Sequence, residues 1–124
     1  MHNFIGIPYE EMNCWKLVRY YYAKELSIEL PTYPIEPDDT FYVARTMVRA
    51  VKSGAWTRHE HPVKHAVAVF CTKPECRAIN HVGIVISKTT FLHTFKEPPA
   101  HSHIARLNEQ PWQATLRGFY TWNK

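Results

Sequence analysis

The chain is predicted to be one α+β domain, residues 1–124, with helices in its first half and an antiparallel sheet in its second. Three observations predict this. An apolar stripe at helical spacing follows Asn13. Short apolar runs separated by turn residues fill the second half. The length, 124 residues with 45% apolar and 21% charged side chains, suits one core.

Taken in order, FIGIPY at 4–9 is an apolar lead-in. Asn13 is a good helix N-cap, and Cys14, Leu17, Val18, Tyr21, Tyr22 and Leu26 then fall on one helical face. ELPTYPIEP, 29–37, has three prolines and reads as a loop. Asp38 or Asp39 caps a second helix, with Phe41, Ala44, Met47, Val48 and Val51 as its stripe and Gly54 as its end. Residues 55–63 read as irregular. AVAVFC at 66–71 is a buried strand, CTKPEC its turn, INHVGIVIS at 79–87 the next strand and TFLHTF at 90–95 a third. EPPAHSH is a loop, its HSH at 101–103 a solvated edge. HIARL at 103–107 is a fourth strand, a helical turn lies near Pro111 to Leu116, and GFYTW at 118–122 is the last strand.

Composition excludes several classes. No apolar run approaches the ~18 residues of a membrane span. The start, MHNFIGIPYEEMN, lacks a basic n-region followed by an apolar h-region, which predicts a chain made in the cytoplasm without a signal peptide. The net charge of +4 comes from 15 scattered Lys and Arg, with no basic cluster to hold nucleic acid. Three cysteines, Cys14, Cys71 and Cys76, do not form a complete disulfide framework.

Cys14 is the first candidate for chemistry. In the first turn of a helix, unpaired N–H groups and the macrodipole favour a thiolate and can cradle an oxyanion. An isolated cysteine on such a stripe is ordinarily a small core residue, so a base is needed to make the case. His81 and His93 supply candidates for a base and its orienting partner, provided they share a sheet face. A turn at Lys88-Thr89 alone would put them on opposite faces. A loop running from Ser87 to Thr89 pairs Ile86 with Thr90, sets His93 opposite Gly83 and leaves it diagonal to His81, within side-chain reach. The longer loop is therefore expected.

A metal centre is the competing constellation. His59, His61, His65, Cys71 and Cys76 lie close in sequence, but without a C-x2-C knuckle. Free thiols at Cys71 and Cys76 are the default expectation, with a disulfide across their turn as the alternative. Trp15, Trp56, Trp112 and Trp122 could line a groove or simply fill the core, and Tyr9, ahead of Cys14, could reach a cleft.

IGIPYEEMNCWKLVRYYYAKELSIELPTYP resembles the nucleophile segment of the NlpC-type cysteine peptidases, papain-like cell-wall hydrolases in which a Pro-Tyr pair precedes a D-C-S/W-G-L-V helix. NHVGIVI resembles their D/R-H-V-G-I-Y-I strand and FLHTF their F-I/V-H-A strand. RLNEQPWQATLRGFYTW is similar to their closing segment. The Cys-Trp pair and G-F-Y-x-W look most like the phage-tail branch. Asn13 stands where the family has Asp, Lys16 where it has Gly, and the Gly-Gly after Pro-Tyr is missing.

The resemblance implies a papain-like fold with N-terminal helices packed on an antiparallel meander. It implies Cys14 as nucleophile, His81 as base and His93 as orienter, with Tyr9, Trp15 and Asn80 as substrate-side residues. The implied reaction is hydrolysis of a peptidoglycan stem-peptide amide between the γ-carboxyl of D-glutamate and the following diamino acid, without metal or organic cofactor. Implied partners are the wall peptide and phage tail-tip proteins, with neither nucleic acid nor membrane. The implied place of action is a virion tail or the host cell-wall space. The alternatives are a non-catalytic tail-tip or wall-binding domain and a zinc-stabilised binding module.

Overall fold

The first regular element after a short 3-10 turn at His2–Phe4 is α1, Cys14–Leu26, and local chemistry sets both of its ends. At the start, the Asn13 side chain accepts the Lys16 N–H at 3.1 Å, satisfying one of the donors that a helix leaves open. At the end, Ser27 takes a left-handed conformation (φ 55°) and the chain turns away. Between them Cys14, Trp15, Leu17, Val18, Tyr21 and Tyr22 are buried, which is the expected stripe with Trp15 added. The computed structural model describes residues 2–31, 49–72 and 81–123. The start of the expected second helix and residues 73–76 of the CTKPEC turn lie outside the described residues. Residues 49–52 are helical, and Gly54 follows at φ 82°, a conformation that favours glycine.

The strands are β1 (Trp56–His59), β2 (Val67–Phe70), β3 (His81–Val85), β4 (Thr90–His93), β5 (His103–Arg106) and β6 (Leu116–Trp122). The short helix α2, Trp112–Thr115, leads into β6. Each pairing is antiparallel, and the sheet order is β1-β6-β2-β3-β4-β5. This α+β architecture is the expected one, with two corrections. Residues 55–63 are not irregular throughout: Trp56–His59 form β1, paired from Trp56↔Trp122 to His59↔Phe119. Nor is the sheet a plain meander. β2 to β5 follow one another, but β6 returns to the far side of β2 and separates it from β1. A four-residue strand with only one apolar anchor, Trp56, gives little alternation to read, which is why β1 was not visible in sequence.

Strand alternation sorts the core onto two faces. Val67, Val69, Val82, Ile84, Leu92 and Tyr120 pack with the α1 stripe. Ala66, Ala68, Phe70, Val85, Phe91, Leu107 and Phe119 form a second cluster, against which Trp112 and Leu116 pack. Because both faces are covered, β2 and β3 are buried along their whole length and read as continuous apolar runs.

Two tyrosines tie α1 to the sheet. The Tyr21 hydroxyl meets His65 Nδ1 at 2.8 Å, and the Tyr22 hydroxyl donates to the His65 carbonyl. His65 sits at φ 71°, just before β2, with its N–H on the Val85 carbonyl at 2.8 Å. Tyr22→Phe removes the bond to a half-buried carbonyl and keeps the ring. It is expected to lower unfolding free energy by about 1–2 kcal/mol with the fold retained, as read by denaturant titration.

Candidate active site

The β3–β4 hairpin carries both histidines. Its loop runs from Ser87 to Thr89: the Ile86 N–H donates to the Thr90 carbonyl at 3.0 Å, and the Ser87 hydroxyl accepts the N–H groups of Thr89 and Thr90. The register is then Ile84↔Leu92 and Val85↔Phe91, the one expected for the longer loop. It places His81, Gly83, Val85, Phe91 and His93 on one face. His81 Nε2 lies 2.9 Å from His93 Nδ1, a hydrogen bond between two buried rings.

Glycine at 83 is required by this pairing. A Cβ there would sit 2.8 Å from Phe91 Cδ2, 2.9 Å from the Leu92 carbonyl oxygen and 3.1 Å from His93 Cβ. The position above Gly83 is therefore filled by its neighbours.

Cys14 belongs to the core on the α1 face, whereas the histidines look to the other face. What joins them is the end of a ladder. β3 and β4 pair at Val85 and Ile84 and the pairing stops there. Two residues on from Ile84, on the same edge of β3, the Val82 N–H is given to the Cys14 sulfur. The N–H groups of Cys14 and Trp15, open donors of the first helical turn, lie beside the sulfur and favour its charged form. The thiol is thus seated where β3 and β4 part, against the residue that follows His81. His93 occupies His81 Nε2, so Nδ1 is the nitrogen left for a reacting group.

The three groups are almost dry. Cys14 is 5% exposed, His81 2% and His93 0%. Burial pushes the Cys14 thiol up to about 11, even though the three N–H groups pull it down. Burial pushes His81 down to about 3, helped by the nearby His103. It pushes His93 down to about 2, helped by His81 and His103. At neutral pH the resting site holds a neutral thiol and two neutral imidazoles.

Aromatic side chains wall the pair. Trp112 is stacked on His81 at 5.4 Å and edge-on to His93 at 4.5 Å, Phe70 lies 5.6 Å from His81, and Phe95 lies 5.0 Å from it. Phe91 lies 4.5 Å from His93. Two buried polar atoms here have no hydrogen-bond partner among the described residues: His93 Nε2 and Thr94 Oγ1.

The other expected site residues fall as follows. Tyr9 is at the turn before α1, its N–H on the Ala100 carbonyl at 2.9 Å, and its neighbour Pro8 bridges His101. Trp15 is buried and packs edge-on to Trp56 at 6.3 Å, a position that serves α1 packing. Asn80 lies outside the described residues. Cys71 is disulfide-bonded, which corrects the expectation of free thiols at 71 and 76; Cys76 lies outside the described residues. A bonded Cys71 cannot supply a zinc thiolate, and no group of three metal-binding side chains comes together among the described residues. HSH at 101–103 is not a solvated edge: Ser102 is buried, and His103 opens β5 directly opposite His93, ring to ring at 4.6 Å. Alternation along β5 could have shown that His103 and His93 share a face; the loop-like composition of EPPAHSH hid it.

A helix headed by a free cysteine, laid on an antiparallel sheet that carries two hydrogen-bonded histidines, is the arrangement of a papain-like α+β fold. Residues 2–121 match the family model described as the NlpC/P60 family, and the chain belongs to that family. Its members are generally cell-wall peptidases and typically cysteine peptidases. Among solved structures, it is similar to a protein of Staphylococcus aureus subsp. aureus Mu50 described as similar to lipoprotein, NLP/P60 family. The TM-score is 0.65 and the identity 20%, over 97% of this chain and 38% of that one. The likeness is one of fold, and this chain spans well under half of that protein. A comparison with curated protein sequences gave no match.

Two predictions follow from the site's packing and dryness. Gly83→Ala forces β4 away through a backbone carbonyl that no rotamer change can move; a loss of about 1–3 kcal/mol in denaturant unfolding is expected, with displaced His93 ring resonances. The second concerns pH. The imidazoles lose basicity on folding, so below about 6.5 the unfolded chain binds more protons than the folded one. Their contribution is complete above 6.5 and falls as pH drops toward about 3. The thiol acts oppositely: its contribution is complete below 9.0 and falls as pH rises toward about 11. Melting temperature should therefore peak between about pH 6.5 and 9, and His81→Asn should shallow the acid side of the curve.

Proposed function

We propose that the chain is a cysteine peptidase that hydrolyses an amide bond in peptidoglycan stem peptides, with D-glutamyl-γ-diamino acid as the bond cut and a phage tail as its setting. The observation that carries the catalytic reading is the linear order of groups: the sulfur on the Val82 N–H at the open end of the β3–β4 ladder, His81 the residue before Val82 in β3, and His93 bonded behind His81. The substrate is supported by the family, and the tail setting by the resemblance of the Cys-Trp pair and G-F-Y-x-W to the phage-tail branch.

In the proposed reaction the Cys14 proton passes to His81 Nδ1 as the sulfur attacks the scissile carbonyl carbon. The carbonyl oxygen becomes an oxyanion, and first-turn N–H groups released from the sulfur can receive it. His81 then gives its proton to the amide nitrogen, the C–N bond breaks and the amine leaves. A water molecule loses a proton to His81 Nδ1, attacks the thioester, and the acid product departs as the thiol re-forms. His93 accepts the His81 Nε2–H throughout and so holds the ring in one orientation. Because the resting pair is neutral, the ion pair is reached only through the mutual attraction of thiolate and imidazolium in a dry site, where that attraction is strong.

A wall-binding or tail-assembly role without cleavage is the competing reading, and the near-complete burial of Cys14, His81 and His93 is what favours it. Purified peptidoglycan separates the two. The wild-type chain is expected to release muropeptides with new amino and carboxyl termini, identified by mass spectrometry. Cys14→Ala is expected to lose at least about 10³-fold in rate while still binding wall. Equal product from both proteins, or none from either, would count against the hydrolase.

A further inference from the structure

We infer that His103 is a positioning residue for the imidazole pair: it sets the tautomer of His93, and through it the nitrogen of His81 that is free to take a proton. The inference rests on the hydrolase reading for its catalytic meaning, but not for its structural content.

Two neutral imidazoles joined Nε2 to Nδ1 share one proton in one of two ways. In the first, His81 carries its proton on Nε2 and donates to His93 Nδ1; His81 Nδ1 is then a lone pair able to accept the thiol proton. His93 must then carry its own proton on Nε2. In the second, His93 Nδ1–H donates to His81 Nε2, the His81 proton sits on Nδ1, and the base is blocked. Both satisfy the 2.9 Å contact equally. The choice is made at the far nitrogen, His93 Nε2, which is buried and has no hydrogen-bond partner among the described residues. An acceptor near that atom favours the competent form, and a donor favours the blocked one.

The rings around His93 are His81, Phe91, Trp112 and His103. Phe91 offers no lone pair, and the indole N–H of Trp112 is a donor only. Among the described ring neighbours, His103 is therefore the one besides His81 with a nitrogen lone pair to offer. Its Nδ1 lies 3.0 Å from the His101 carbonyl, which only an N–H can satisfy. A neutral His103 then has its proton on Nδ1 and its lone pair on Nε2. It sits directly across the β4–β5 ladder from His93, half-buried, with ring centroids 4.6 Å apart at 58°. In the inferred contact the two rings turn so that His93 Nε2–H meets the His103 lone pair. Protonation of His103 replaces that lone pair with an N–H and selects the blocked form. The titratable groups facing His103 in the described contacts are His93 on β4 and His101, whose ring lies 6.0 Å away. His81 on β3 faces the pair from the other side, and a charged His103 also opposes protonation of both its members.

Ring-nitrogen NMR on the full chain tests this, using the two-bond couplings that distinguish Nδ1–H from Nε2–H. At pH 8 the wild type should show His81 and His93 both as Nε2–H and His103 as Nδ1–H. His103→Phe should leave His93 mixed or Nδ1–H. His103→Gln, whose amide oxygen accepts but does not titrate, should restore Nε2–H and abolish the change in His93 that accompanies His103 protonation. If the Phe variant does not fold, the presence or absence of that pH-dependent change in wild type against Gln decides alone. In a wall-peptide assay, His103→Phe should lower kcat at pH 8 by tenfold or more with KM unchanged, as a wrong tautomer costs a serine protease far more, and His103→Gln should recover it. The same His93 tautomer in all three proteins, or an Nδ1–H form in the wild type, would overturn the assignment. The full NMR pattern in a wild type that cuts nothing would uphold it and count against the hydrolase reading alone.

Discussion

The bond between the Val82 N–H and the Cys14 sulfur is the contact on which the site depends. Without it, helix and histidines belong to different sides of a sheet and have no reason to meet. An antiparallel ladder ordinarily consumes every second N–H of a strand, so a donor on β3 becomes available to a helix only where β4 has parted from it. That happens past Ile84↔Leu92, within the same strand that begins at His81. Asn13 sets the first turn of α1 and the two tyrosine contacts to His65 hold α1 against the sheet, so the sulfur is fixed at both scales. Gly83 keeps β4 close enough, just past the last ladder pair, for His93 to reach His81.

Burial gives the site its chemical character. With the thiol raised to about 11 and the imidazole lowered to about 3, the resting site is neutral, unlike the thiolate–imidazolium pair of an open, hydrated cysteine site. Neutral His93 is a requirement of the same design: a proton on both of its nitrogens would make Nδ1–H the donor at the 2.9 Å contact and leave the His81 proton on Nδ1, where it blocks the base. The walls of Phe70, Phe91, Phe95 and Trp112 keep the imidazoles uncharged by excluding water. The proposed hydrolysis therefore draws on substrate binding to form its charged pair, and the three N–H groups around the sulfur are the parts already in place for it.

Much of this was legible in the residues. The spacing from Cys14 to Tyr22 and the Asn13 cap specify α1 because helix periodicity and capping are local effects. The shared face of His81 and His93 follows from strand arithmetic once the loop runs from Ser87 to Thr89, a loop expected because only it lets the two rings meet. Three things were not legible. β1 carries one anchoring residue and owes its existence to β6, which lies far away in sequence. The return of β6 to the edge of β2 is a tertiary choice that no local pattern encodes. The seat of the sulfur is made by a backbone group, and Val82 as a side chain says nothing of it. His103 was hidden differently: its neighbours read as loop, and only the pairing with β4 reveals the ring beneath.

The pH dependence of Cys14 alkylation tests the neutral resting site most directly, since Cys71 is held in a disulfide and the modified residue can be confirmed by peptide mass. With a small haloacetamide and no substrate, the rate should be slow at pH 7 and climb about tenfold per pH unit up to pH 10, as a thiol titrating near 11 requires. A rate that is already high and flat from pH 4 to pH 8 would show a standing thiolate–imidazolium pair and contradict the account.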